Sequence, residues 1–129
     1  MEREARLSPS LAGELAKADL MRMGVAESVG GPEVAPVEQL DVIEHLATVN
    51  PAAAWCVMIS STTALMSGWL AEPAVSEVFG DALGIWAGGV APSGTLVASD
   101  DGADGDLVLD GRWTFGSAAR RRRGSPAAR

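Results

Sequence analysis

The chain of 129 residues has little of what several classes of functional site require. It contains a single cysteine, Cys56, so an internal disulfide is impossible and a reducing compartment is the natural environment. Its single histidine, His45, has no second histidine or cysteine at ligand spacing, which excludes a zinc site by ligand count. No glycine-rich nucleotide fingerprint occurs, because Gly88-Gly89 leads into Val90-Ala91-Pro92 rather than into a helix.

Cationic residues are also scarce over most of the chain. The formal net charge is −7, but five of the ten cationic residues, Arg120 to Arg123 and Arg129, lie at the end of the chain. Residues 1–119 contain the other five cationic residues and all 17 acidic residues, so their net charge is −12. Such an acidic body predicts neither nucleic acid nor an anionic membrane as partner, since both are negatively charged. The first ten residues lack the apolar stretch of a secretory signal, and a cytoplasmic location is expected.

One long segment, residues 50–71, has no charge at all. It approaches the about 20 apolar residues that a membrane-spanning helix needs. However, Ser60, Ser61, Thr62 and Thr63 lie at its centre, and no cation flanks it. A buried core helix is the favoured interpretation, with a membrane helix as the alternative. The four hydroxyl side chains are expected to bond back to the preceding helical turn, although they could instead face a substrate pocket.

Capping signals predict where the helices begin. Ser8-Pro9 starts a first helix, which Gly24 can end, and Asn50-Pro51 starts the uncharged helix that runs through Trp69. Because that helix is apolar on all sides, we expect other elements to enclose it. A short helix between Glu72-Pro73 and Gly80 follows.

Between the first and the uncharged helix, a helix is predicted to start near Pro36. Its apolar face comprises Leu40, Ile43, Leu46 and Ala47. His45 and its acidic neighbours lie elsewhere on this helix and are expected to be solvated. Cys56, on the uncharged helix, is expected to be a buried structural residue, because no base or cation lies near it in the sequence to activate the thiol.

From Gly84 onward the pattern changes to short β-favouring runs. Strands are predicted over residues 85–90, 95–98 and 106–115, separated by turns at 92–94 and 100–105. The acidic cluster at the second turn is interpreted as a hairpin turn and not as a calcium loop, since Gly102 and Gly111 occupy positions where such a loop needs oxygen ligands.

Three regions are therefore predicted. Residues 1–82 form a helical domain, residues 83–117 form the start of a β domain, and residues 118–129 form a basic tail. The tail contains only Ala, Arg, Gly, Ser and Pro, and is interpreted as non-native or disordered, the product of a frameshift or a truncated gene model. A patch for nucleic acid or heparin is the alternative.

Five motifs occur in an order that resembles the N-terminal part of the acyl-CoA dehydrogenase superfamily, in particular its flavin-dependent monooxygenase branch of two-component aromatic hydroxylases. The resemblance spans residues 11–117. The motifs are Leu20-Met21-Arg22-Met23 leading to Gly30-Gly31, Val42-Ile43-Glu44-His45-Leu46-Ala47, Asn50-Pro51-Ala52-Ala53-Ala54-Trp55-Cys56, Trp86-Ala87-Gly88-Gly89-Val90-Ala91-Pro92-Ser93-Gly94, and Gly111-Arg112-Trp113-Thr114-Phe115-Gly116-Ser117. After Ser117 the branch continues with glycine, whereas this chain has Ala118 and then the arginine run.

The resemblance implies a mainly α N-terminal domain followed by the truncated start of a β-barrel-like middle domain. It implies FAD or reduced FMN as cofactor, with Pro92, Trp113, Phe115 and Ser117 lining the isoalloxazine ring, and Trp55 as a substrate-pocket candidate. Alternation of Trp113 and Phe115 also fits ordinary core positions of a strand. No catalytic residue and no metal ligand is assigned, since the family supplies its catalytic base from a C-terminal helical bundle.

Taken together, the sequence predicts a fragment of a flavin-dependent oxidoreductase that oxidises or hydroxylates a small organic or acyl substrate, inactive as it stands. Its expected partners are flavin and the small-molecule substrate of full-length relatives, with homo-oligomers as a further expectation. The alternatives are a non-catalytic helical interaction module and a decayed gene remnant. In the first of these, apolar surface left uncovered would bind a partner.

Overall fold

The computed structural model describes residues 7–88, 94–99 and 106–112. Helices come first and a two-stranded antiparallel sheet follows, which is the predicted order. The helices are α1 (Pro9–Lys17), α2 (Pro36–Val49), α3 (Pro51–Ala64) and α4 (Ala74–Phe79), and the strands are β1 (Gly94–Ala98) and β2 (Leu107–Gly111). Short 3₁₀ turns lie at Leu20–Arg22, Glu27–Val29 and Leu65–Gly68.

Local capping chemistry fixes the start of two helices, as predicted. At α1, Ser8 Oγ accepts the backbone N–H of Leu11 at 3.2 Å. At α3, Asn50 Oδ1 accepts the backbone N–H of Ala53 at 3.0 Å. In both helices proline occupies the first position, where its missing N–H leaves no helical hydrogen bond unmade.

The end of α1 differs from the prediction. The helix stops at Lys17, and the chain passes through the 3₁₀ turn Leu20–Arg22 before it reaches Gly24. Gly24 serves close packing instead of ending a helix, because a Cβ there would collide with the carbonyl oxygen of Ser61. The loop around Gly24 can therefore lie directly against α3.

The main core forms where α1, the 3₁₀ turn that follows it and α2 meet α3. Its buried members are Leu15, Ala16, Met21, Met23, Ala53 and Val57. Partly buried apolar side chains of α1, α2 and the intervening loops surround them, including Val42, Ile43 and Leu46. The apolar face predicted for α2 therefore packs as expected at Ile43 and Leu46.

The predicted face of α2 is wrong at Leu40, whose side chain is 63% exposed. Its neighbour Gln39 is buried instead, and its Nε2 donates a 2.7 Å hydrogen bond to the carbonyl of Val34. That bond satisfies the buried amide, so a polar side chain occupies the inward position at the first turn of α2.

The part of the chain that the structure describes does not enclose helix α3 on all sides, contrary to the prediction. Its buried face consists of Ala53, Ala54, Val57, Ser60, Ser61 and Ala64. On other sides Trp55 is 54% exposed, and beyond the helix Met66 and Trp69 are 49% and 74% exposed. Within residues 7–88, 94–99 and 106–112, no helix combines the length and apolarity needed to cross a membrane.

A second, smaller core lies around α4. Val25, Ala64, Val75 and Phe79 are buried there, with Trp86 packed beside them. The rings of Phe79 and Trp86 are 5.2 Å apart, and Trp86 Nε1 donates to the carbonyl of Val78 at 2.8 Å. The strand predicted over residues 85–90 is wrong for residues 85–88, which form no sheet bonds, because the hydrogen bonds of Trp86 go to Val78 and α3.

The two strands form an antiparallel pair in which Leu96 lies opposite Leu109 and Val97 opposite Val108. Strand β1 confirms the prediction for residues 95–98, and β2 confirms it for the first half of 106–115. Asp106 and Arg112 of that predicted strand are described but lie outside β2. Residues 113–117, the predicted tail 118–129, the turn at 100–105 and residues 92–93 of the other turn lie outside the described residues.

Candidate functional site

Of the five site residues predicted from the sequence, the structure describes Trp55. Pro92, Trp113, Phe115 and Ser117, the residues assigned to flavin, lie outside the described ranges, so their placement stays a prediction. The described chain reaches both sides of the Pro92 turn, at Gly88 before it and Gly94 after it. The surroundings of Trp55 and Gly88 therefore define the candidate site.

Trp55 lies on a surface of α3 that we call the outer face. Residues spaced four or seven positions apart lie on nearly the same side of a helix. By this spacing the outer face comprises Trp55, Ile59 and Thr62. All but the half-buried Ile59 are exposed, and residues 50–71 contain no charge. The outer face is thus an uncharged, aromatic and aliphatic surface with one hydroxyl.

The hydroxyls on the opposite side of α3 bind other parts of the chain. Ser60 Oγ donates to the carbonyl of Met21 at 2.8 Å, and Ser61 Oγ donates to the carbonyl of Leu20 at 2.9 Å. The expectation that these hydroxyls bond back to their own helix is wrong for both residues. It is confirmed for Thr63, whose Oγ1 donates to the carbonyl of Ile59 at 2.8 Å.

Ser60 also holds the segment that leads toward Pro92. Its Oγ accepts the backbone N–H of Trp86 at 3.0 Å, so one fully buried hydroxyl joins α3, the turn after α1 and this segment. Two residues on, Gly88 passes so close to Thr63 that a Cβ on Gly88 would collide with Thr63 Oγ1. The sequence signal for this contact is Gly88 itself, since only glycine permits so close a passage.

These contacts place the segment before Pro92 beside the second half of α3. Trp55 is eight residues before Thr63, which corresponds to about 12 Å along the helix axis. Thr63 therefore lies closer than Trp55 to Gly88, the last described residue before Pro92. The outer face reaches toward this end of α3 through Thr62.

Two buried polar side chains, those of Ser67 and Arg22, bind backbone groups in the loop between α1 and α2. Ser67 Oγ accepts the backbone N–H of Ala26 at 2.9 Å. The buried Arg22 donates from Nη2 to the carbonyl of Gly30 at 3.1 Å, and its Nη1 lies 3.8 Å from Asp19 Oδ1. Arg22 thus ties the Gly30-Gly31 motif to the core and serves loop structure.

The reactive side chains of the described region support no catalytic centre. Cys56 packs partly buried against the main core, and this burial raises the pKa of its thiol, so less thiolate is present at neutral pH. His45 is exposed on α2. Within the described ranges, no three His, Cys, Asp or Glu side chains form a cluster suited to a metal ion.

Comparison with known proteins adds one relative and no family. No family model matches the chain. The chain is 26% identical over 117 residues to an indole-3-acetate monooxygenase of Acinetobacter baumannii. The match covers 90% of this chain and 29% of that protein, so the chain spans less than a third of the relative's length.

Proposed function

We propose that this chain is part of a flavin-dependent monooxygenase of the acyl-CoA dehydrogenase superfamily, and that the whole enzyme hydroxylates or oxidises a small organic or acyl substrate. The observation that carries the proposal is the similarity to a monooxygenase over 90% of the chain. The ordered motifs from Leu20 to Ser117 support the superfamily assignment, which is finer than the similarity itself.

The cofactor in this proposal is FAD or reduced FMN, bound in the whole protein beside Pro92, Trp113, Phe115 and Ser117. When bound, the flavin supplies the hydride or oxygen chemistry. Aromatic side chains such as Trp113 or Phe115 suit the flat apolar ring, and the Ser117 hydroxyl suits its polar edge. The contacts of Trp86 with Ser60 and of Gly88 with Thr63 support this arrangement, because they hold the last described residues before Pro92 against α3.

The substrate in this proposal lies against the outer face of α3. An uncharged wall with Trp55 and Ile59 suits an apolar ring or chain, and the exposed Thr62 offers one hydrogen-bonding group. We assign no catalytic base to this chain.

The first test is to sequence the coding DNA past the Ser117 codon and translate all three frames. We expect one frame to continue with a glycine, further strands and four long helices. If no frame continues in this way, the proposal for a whole flavoenzyme fails.

The second test uses the restored longer protein and measures flavin affinity by fluorescence titration. Trp113→Leu should weaken flavin binding by about tenfold, a loss of about 1.4 kcal/mol. Leu40→Ala is the control, because Leu40 is exposed on α2 and belongs neither to the assigned flavin residues nor to the outer face, and it should leave flavin affinity unchanged. Equal affinities for the two variants would remove Trp113 from the cofactor site.

A second candidate function is a non-catalytic helical interaction module. The observation that favours it is the apolar exposure around α3, where Trp69 is 74% exposed, and on α2, where Val49 is 77% exposed. Capture of a defined protein partner by the 129-residue chain, with no flavin bound at saturating FMN or FAD, would favour this function over the first.

A further inference from the structure

The β1–β2 hairpin has an outer edge whose hydrogen-bonding groups can be assigned residue by residue. The backbone N–H of Ser99 donates to the carbonyl of Asp106 at 2.9 Å, so this opposed pair is a hydrogen-bonded one. In an antiparallel ladder hydrogen-bonded and non-hydrogen-bonded pairs alternate. In β2, Val108 and Asp110 therefore bond to β1, while Leu107, Leu109 and Gly111 direct their N–H and C=O groups away from it.

Among the described residues, the hairpin is a sheet of two strands and no more. A pair of strands on its own is marginally stable in water, and an open strand edge is a template for a further strand. All ten residues of β1 and β2 are exposed. The outer edge of β2 is thus available, within this part of the chain, for one more strand.

In one register, β2 pairs with β2 of a second copy across a two-fold axis, and the outward-directed N–H and C=O groups of Leu107, Leu109 and Gly111 all form hydrogen bonds. When Leu109 lies opposite Leu109 of a second copy, Leu107 lies opposite Gly111 and Gly111 opposite Leu107. All three pairs are then of the hydrogen-bonded kind, because their members are the outward-directed residues. Shifting the strands by two residues leaves at least one outward residue without a partner in β2.

The same register pairs opposite charges at both ends. Asp106 of each copy lies opposite Arg112 of the other, at a non-hydrogen-bonded position where side chains are closest. Arg112 already has an interaction, but a guanidinium has five N–H donors and can also contact a carboxylate of a second copy. Strand β1 has no charged residue, so its own edge offers no such complementarity.

Side chains on one face of the hairpin favour the same arrangement. Leu96, Ala98, Leu107 and Leu109 share this face, which has no polar side chain, while Thr95, Asp110 and Asp106 lie on the other. Two hairpins joined at β2 present a continuous apolar strip of these residues, with Leu109 of the two copies side by side at its centre. Leu107 faces Gly111 of the other copy, where no side chain obstructs it.

We propose that the occupant of the β2 edge is β2 of a second copy of this chain, forming a four-stranded antiparallel sheet in the order β1-β2-β2-β1. The interface is small, so the dimer is expected to be weak, with a dissociation constant on the order of tens of micromolar. The proposal concerns the 129-residue chain and is tested on it, because the further strands that the proposed function expects after Ser117 would compete for the same edge in a longer protein.

The first test compares two proline substitutions by sedimentation velocity of the 129-residue chain up to about 300 µM, well above the expected dissociation constant. Leu109→Pro removes an outward N–H of β2 and should abolish the dimer. Leu96→Pro is the matched control, because Leu96 lies opposite Leu109 within the hairpin. This substitution removes an outward N–H from the edge of β1 and should leave the dimer intact. The amides of Val97 and Val108, which bond within the hairpin, report by NMR that the hairpin survives.

The second test reverses charges without altering the backbone, and it decides the matter if a proline disrupts the hairpin. Asp106→Arg or Arg112→Asp alone creates two like-charge pairs and should weaken association by about tenfold. The double variant Asp106→Arg/Arg112→Asp restores both pairs and should return the dissociation constant to within about threefold of the original.

Three results would overturn the proposal. The chain could remain monomeric over the whole concentration range, or Leu96→Pro could abolish association while Leu109→Pro does not. The double charge variant could also associate as weakly as the single ones. Association that Trp69→Ser abolishes, but the charge reversals leave unchanged, would show that the copies meet through α3 instead of β2.

Discussion

Ser60 joins more elements than any other side chain of α3 for which hydrogen bonds are described. Its hydroxyl donates to Met21 and accepts from Trp86, and the residue is fully buried. Both backbone partners are therefore satisfied by a single oxygen. Removal of that oxygen leaves two backbone groups without a partner in a region that water does not reach.

Ser60→Ala should consequently lower the free energy of unfolding by about 2–4 kcal/mol, the cost of two unpaired backbone groups in a buried site. Ser10→Ala, at an exposed position of α1, is the matched control and should change stability by less than about 0.5 kcal/mol. Urea denaturation followed by far-ultraviolet circular dichroism gives both values. Equal stabilities would mean that water or a neighbouring group replaces the Ser60 hydroxyl.

The sequence predicted single residues well where one short segment decides the outcome. The caps at Ser8 and Asn50 are of this kind, since donor and acceptor are three residues apart. The direction of the Ser60 and Ser61 hydroxyls was not predictable, because their acceptors lie 39 and 41 residues away. The bonding of Thr63 within its own helix turn was predictable for the same reason as the caps.

At the scale of elements, α2 shows why an apolar pattern can point to the wrong side of one turn. Leu40 fits the spacing of Ile43 and Leu46, yet it is exposed while Gln39 is buried. The bond from Gln39 to Val34 decides the orientation of this turn, and Val34 lies outside the helix. The spacing of apolar side chains gives no information about such a hydrogen bond.

Leu46→Ser and Leu40→Ser form a matched pair that tests this orientation. Leu46 packs against the main core, so Leu46→Ser should destabilise the chain by about 2–3 kcal/mol. The exposed Leu40 loses little contact, and Leu40→Ser should cost less than about 0.5 kcal/mol. The comparison uses the free energies of unfolding in urea. If the larger loss occurs at Leu40, a further element covers that side of α2.

The strand predicted over residues 85–90 failed for a related reason. Ile85 and Trp86 have the composition of a strand, but the Trp86 ring packs on Phe79 and its two N–H groups bond to Ser60 and Val78. Tertiary contacts of one large aromatic residue thus override local propensity. For the candidate site, sequence motifs named Trp55 but missed the Gly88–Thr63 contact, which becomes evident once α3 and residues 84–88 lie side by side.

At the scale of the whole molecule, negative charge is in excess. Through Ala119 the chain has a net charge of −12, and the complete chain has −7. The described residues include the ion pairs of Lys17 with Glu14 and of Arg22 with Asp19, and the first is well exposed. Exposed pairs contribute little to stability, so self-repulsion of the acidic residues is the larger long-range effect.

Added salt should therefore stabilise the monomer. Raising NaCl from about 0.02 M to about 0.3 M shortens the screening length below 10 Å and should raise the midpoint of thermal unfolding by a few degrees. Measurements at about 1 µM chain keep the protein below the expected dimer range. Choline chloride at the same ionic strength should act equally, because screening does not depend on the cation. A midpoint that falls with salt would contradict dominant self-repulsion.

The long sequence separation of the α3 serine contacts also bears on how quickly the core forms. Helical turns form within about a microsecond, whereas Ser60 can meet Met21, 39 positions earlier in the chain, only after the intervening segment has closed into a loop. Closing that loop costs entropy before any of its contacts forms. The folding rate of the helical part is thus expected to follow this loop closure more than helix formation, and shortening the loop of residues 26–35 should speed folding more than improving the helix propensity of α2 or α3.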